Sequence, residues 1–100
     1  VIYTGTKAHP VLDIEFGGGR YASMAQLNLP FQVAVGYEDG ACAHIPECSR
    51  FFENFAVELC DFFDTGRVKA TKEETLAVAA LIEAGREAAK VPGVWVEVKA

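Results

Sequence analysis

Residues 12–25 read LDIEFGGGRYASMA, and the three glycines at their centre can be a phosphate cradle or a bend between two strands. Gly17, Gly19 and Ala22 keep the G-x-G-x-x-G/A spacing behind a short apolar run. The acidic pair Glu38–Asp39 stands roughly 20 residues further on, where a dinucleotide fold places its ribose acid. Such a loop must open a helix whose N-terminus faces the pyrophosphate. Arg20–Asn28 is the only stretch free to form it before Leu29-Pro30.

The hairpin alternative accounts for more residues. A Gly17–Gly19 loop sets Phe16 against Arg20, Glu15 against Tyr21, Ile14 against Ala22, Asp13 against Ser23 and Leu12 against Met24. One face then carries Leu12, Ile14, Phe16, Ala22 and Met24, with Arg20 at its rim. The other carries Val11, Asp13, Glu15, Tyr21, Ser23 and Ala25. Segregation into an apolar and a mixed face is what a ribbon covered on one side by helices requires. The glycines are read as a turn.

Outward from this turn, VIYT at the start is strand-like, and FQVAVGY alternates with Phe31, Val33, Val35 and Tyr37 on one side. Asp39-Gly40 makes a turn, and ACAHIPEC reads as irregular, extended up to Pro46. From Ser49 the period changes. Phe51, Phe55, Leu59 and Phe62 form one helical stripe, with Phe52, Ala56, Cys60 and Phe63 beside it. Ser49 is the expected N-cap, Gly66 the expected stop, and the five phenylalanines with Cys60 are expected in the core. Thr71-Lys72-Glu73-Glu74 is a capping box opening a second helix. Its expected inner face is Val78, Leu81, Ile82, Gly85, Ala88 and Ala89, and Glu83, Arg86, Glu87 and Lys90 mark its wet side. Pro92-Gly93 ends it, and VWVEV is expected as a closing strand.

The expected fold class is therefore α+β, a mostly antiparallel open sheet with two helices packed on one face, built as one domain over residues 1–100. Strand-like sequence already at Val1 suggests a fragment of a longer protein. The net charge of −5, with its bases scattered, disfavours nucleic acid. No segment has the length of an apolar membrane span, and no signal peptide is legible. Three irregularly spaced cysteines suit reduced thiols in the cytoplasm. Cys42, His44 and Cys48 lack a fourth ligand and a known zinc spacing, so buried thiols and a loop histidine are the preferred reading. Glu58, Asp61 and Asp64 read as a solvated acidic side, and Trp95 as packing.

Residues 49–98 and the two turns upstream resemble a known family. Phe55-Ala56-Val57-Glu58-Leu59-Cys60-Asp61-Phe62, then Thr65-Gly66, Ile82-Glu83-Ala84 and Gly93-Val94-Trp95-Val96 follow its closing pattern, while IEFGGGRYASM and VGYEDGA are similar to its strand–glycine–strand hairpin and next turn. The chain thus resembles the C-terminal domain, of the dihydrodipicolinate-reductase-like type, of the glucose–fructose oxidoreductase and inositol dehydrogenase family. The resemblance implies a substrate-side and oligomerisation role, inert alone, in an enzyme using NAD or NADP on a sugar or polyol. The nucleotide-binding half, the catalytic lysine and the histidine–aspartate helix of that family have no matching positions. No catalytic residue, cofactor contact or metal ligand is transferred to this chain, and a small-molecule substrate is expected only in the full-length parent. The expected partner is a second copy, joined through Val11, Asp13, Glu15, Tyr21, Ser23 and Ala25 on the open sheet face. Two other readings are a nucleotide-binding fragment using Gly17, Gly19 and Glu38 or Asp39, and a free-standing α+β interaction module.

Overall fold

A computed structural model describes residues 1–99. Strands β1 (Ile2–Gly5), β2 (Pro10–Gly17) and β3 (Arg20–Ala25) form an antiparallel sheet in the order β1-β2-β3. Strands β4 (Val33–Gly36) and β5 (Cys42–Ile45) pair antiparallel in a second sheet, and helices α1 (Phe51–Thr65) and α2 (Lys72–Lys90) follow. The fold is α+β. The chain divides into two units, one joining Val1–Leu27 to Ala70 onward and the other spanning Asn28–Lys69.

In the first unit the glycines are a turn between strands, and Tyr21 through Ala25 is extended rather than helical. The pairs Leu12–Met24, Asp13–Ser23, Ile14–Ala22 and Glu15–Tyr21 stand in the expected register. Arg20, however, faces Gly17 instead of Phe16, because the register shifts between Glu15 and Gly17. Gly17, Gly18 and Gly19 all have positive φ, so the bend tightens to Gly18–Gly19 and the extra residue is absorbed as a bulge. Phe16 loses its cross-strand partner and lies half in solvent.

Helix α2 covers one face of this sheet. Ala84 and Ala88 are buried with Val1 and Ile14, and Tyr3, Leu12, Ala22, Leu81, Val96 and Val98 pack around them. Small side chains at Ala84, Gly85 and Ala88 let the helix approach closely, with Leu12 Cδ2 only 3.5 Å from where a Gly85 Cβ would stand. The buried side keeps Leu81, Gly85 and Ala88 of the expected inner face and is turned toward Ala84. Val78 and Ile82 are more than half exposed, Ala89 is exposed too, and Met24 on edge strand β3 lies beyond the helix. Thr71 caps α2 as expected, its Oγ1 accepting from the Glu74 backbone N–H at 3.1 Å. The expected closing strand reduces to one bridge, Trp95 with Ile2. Around it the backbone N–H of Val96 donates to Val1 O at 2.7 Å, the Val1 ammonium donates to Val96 O at 2.7 Å, and the Gly93 N–H donates to Tyr3 O.

The second unit contains no buried residue. ACAHIPEC, expected to be irregular and extended up to Pro46, is extended there as regular strand β5, paired through Val33–Ile45, Ala34–His44, Val35–Ala43 and Gly36–Cys42. Its turn is held by Asp39 Oδ1, which accepts from the Ala41 N–H at 2.9 Å. Helix α1 starts from Arg50, not Ser49. Arg50 takes a left-handed conformation with φ 59° and makes no side-chain cap. Gly66 stops the helix as expected, left-handed with φ 72° and its N–H on Phe62 O. The expectation of a phenylalanine core fails: Phe51, Phe52, Phe55, Phe62, Phe63 and Cys60 are all exposed. Within its own unit α1 has only a two-stranded hairpin beside it, too little to bury an apolar stripe of this width.

Candidate functional site

The face of the first sheet opposite α2 is set by the period of two along its strands. Val11 and Asp13 are partly buried, while Glu15, Tyr21, Ser23 and Ala25 are exposed, Tyr21 at 81%. The six residues read from the sequence thus share one face, brought together by the pairs Val11–Ala25, Asp13–Ser23 and Glu15–Tyr21. Ser23 Oγ donates to Asp13 Oδ1 at 2.6 Å across the strands, which fixes the carboxylate at the centre of the face.

The register adds residues that the sequence reading missed. Ile2 stands opposite Asp13 and Thr4 opposite Val11, so β1 contributes both to the same face. The Ile2–Trp95 bridge brings Trp95 there too, 55% exposed. The strand-like VIYT was the signal for β1; its neighbours could not be read without a pairing partner. The result is a row Trp95–Ile2–Asp13–Ser23 across the sheet, with apolar groups at one edge and a hydrogen-bonded polar pair beyond. At the end of β2 a shallow cleft of about 550 Å³ is lined by Val1, Glu15, Phe16, Gly17, Trp95, Val96 and Glu97.

The nucleotide-binding constellation is not assembled. Gly17–Gly19 leads into strand β3, and no helix N-terminus follows it. Glu38 and Asp39 lie in the β4–β5 turn, where Asp39 is engaged by Ala41. Cys42 is exposed and Cys48 partly buried, not the buried thiols expected. His44 Nε2 lies 3.4 Å from Gln32 Oε1. Among the described residues no three His, Cys, Asp or Glu side chains converge as a metal site. No helix among them is long and apolar enough to cross a membrane.

The carboxylates of α1 are more structured than plain solvation. Glu58 Oε2 meets Lys69 Nζ at 2.6 Å, and Asp61 Oδ1 meets Arg67 Nη2 at 3.4 Å. Both bases lie just past the Gly66 stop, so the left-handed turn folds them back on the helix. The hydrogen bond to Glu58, and then its charge, raise the Lys69 pKa above the ordinary 10.5. Asp61 Oδ2 is buried without a hydrogen-bond partner. No family model, curated protein or solved structure matches the chain.

Proposed function

We propose that the chain is the substrate-side and oligomerisation domain of an NAD(P)-dependent oxidoreductase acting on a sugar or polyol, and that it performs no chemistry alone. In this reading it associates with a second copy through the open sheet face. The observation that carries the association is the sidedness of the sheet: α2 covers Leu12, Ile14 and Ala22, while Tyr21 and Trp95 on the other side have no cover. A face that couples exposed aromatic area to a fixed polar pair suits an isologous contact, in which each copy meets the same residues of the other.

The enzyme class rests on the order of elements, a glycine hairpin followed by an apolar helix, an Ala-rich helix and a Gly-Val-Trp-Val end. Three free cysteines suit the reducing cytoplasm that the reading assigns.

Light scattering at high micromolar concentration tests the association, with twice the chain mass expected for the unmodified chain. Tyr21→Lys places a charge in the contact and is expected to return the monomer. A monomeric unmodified chain removes the dimer. Titration with NADH is expected to give no saturable fluorescence change. Saturable binding by this chain would reinstate a nucleotide site and overturn the assignment.

A further inference from the structure

Strand β3 is the outer strand of its sheet, and among the described residues its backbone bonds to β2 alone. The Gln26 N–H donates to Pro10 O, so Gln26 turns its backbone groups inward to β2. By alternation Ala22 and Met24 do the same, and Tyr21, Ser23 and Ala25 point their N–H and C=O groups outward. No proline and no charge falls between Tyr21 and Ala25, so this rim lacks what usually blocks another strand. The rim beyond β1 is guarded. The irregular stretch that borders it carries Pro92, Glu97 and Lys99.

We infer that β3 pairs antiparallel with β3 of a second copy, about a two-fold axis at Ser23, and joins the two sheets into one. The rim itself selects this occupant and this register. Residues directly opposite one another share a face, so the axis must pass through a residue and not between two. Centred on Ser23, it sets Tyr21 against the partner's Ala25, Ser23 against Ser23, and Ala25 against the partner's Tyr21. All three outward residues then exchange both of their bonds. Centred on Ala22 or Met24, one of the three has no partner within the strand. Large meets small on both sides of the sheet, Tyr21 against Ala25 on the open side and Met24 against Ala22 on the α2 side. Arg20 stands across from the partner's Gln26, so no like charges oppose. The contact uses the rim and leaves the open face free, so it stands whether or not that face pairs. One short strand makes a small contact, which is weak and forms only at high concentration.

The test is amide hydrogen exchange of the full chain at low micromolar and at millimolar concentration, quenched and read by NMR. The Tyr21, Ser23 and Ala25 amides are expected to slow about threefold or more at millimolar, as a population two-thirds paired gives. The Ala22 and Met24 amides, bonded to β2 in either state, are expected not to change. Met24→Lys sets two ammonium groups on residues diagonal across the axis, about 7–8 Å apart, and is expected to abolish the slowing. Ala25→Pro removes an outward N–H that the sheet does not use, and is expected to abolish it too. Unchanged Ala22 protection shows that either variant is folded. Tyr21→Lys, aimed at the proposed face contact, leaves the axis uncharged and is expected to keep the slowing at Ser23 and Ala25. Slowing that is absent, is shared equally by Ala22 and Met24, or survives both Met24→Lys and Ala25→Pro overturns the inference. So does slowing lost in Tyr21→Lys but kept in Met24→Lys, which would assign the association to the open face alone.

Discussion

Gly5 and Gly85 show how one residue type can serve opposite needs. Gly5 ends β1 at φ 86°, and a Cβ there would collide with the His9 carbonyl across the Thr6–His9 turn. Gly5→Ala combines a left-handed strain with a backbone clash, and is expected to destabilise the first unit by about 2–4 kcal/mol in urea unfolding. Gly85 has ordinary helical φ, and its Cβ would sit 3.5 Å from Leu12 Cδ2, a normal contact. Gly85→Ala is expected to stabilise by about 0.5–1 kcal/mol in the same measurement, through helix propensity and a less flexible unfolded chain. Lys69 supplies a titration prediction. Its pKa is raised by the Glu58 hydrogen bond, so the contact is fully present below 10.5 and is lost as pH rises through the higher folded value. Glu58→Gln is expected to move the Lys69 titration, followed by NMR, back down toward 10.5. An unchanged midpoint would remove Glu58 as the cause.

At the scale of elements, caps and turns decide what holds. Thr71 accepts the only side-chain capping bond at the start of α2, and Thr71→Ala is expected to cost about 1 kcal/mol of thermal stability in the first unit. Arg50 makes no such bond at the start of α1. Arg50→Gly should be neutral or mildly stabilising there, because glycine takes the left-handed φ freely. The β2–β3 ribbon was legible because alternation over Leu12–Phe16 and Ala22–Met24 admits one register that separates apolar from polar. The bulge was not, since three consecutive glycines permit several turns and carry no side chain to discriminate among them. In α2 the expected inner face holds at Leu81, Gly85 and Ala88, but the buried side turns toward Ala84 and away from Val78, Ile82 and Ala89. Strand β5 was obscured by Cys42, His44 and Pro46, which give a weak strand signal until β4 supplies its hydrogen bonds.

For the whole molecule, the division into two units predicts uneven stability. Among the described residues the first unit holds every buried one, Val1, Ile14, Ala84 and Ala88, and the second holds none. Amide hydrogen exchange is expected to be slowest in β2 and in α2 near Ala88, and fast throughout β4, β5 and α1. Comparable protection in both units would contradict this ranking. The candidate association face was legible residue by residue, because a period of two needs only one correct register. Its extension was not: Ile2 and Thr4 join it through the β1–β2 register, and Trp95 through a bridge to Ile2 more than ninety residues away. The exposed phenylalanine arc was visible as a stripe and misjudged as core, since a sequence shows that a side chain is apolar without showing what lies against it.

The first unit is assembled from two segments separated by the second unit, Val1–Leu27 and the stretch from Ala70 onward, and this has a kinetic consequence during synthesis. Ile14 leaves the ribosome 74 residues before Ala88, the helical neighbour it is buried with. At about 5–20 residues per second, the apolar side of the glycine ribbon waits about 4–15 s for its cover. A nascent chain stalled before α2 should therefore recruit a general holding chaperone, and one stalled after Val98 should release it.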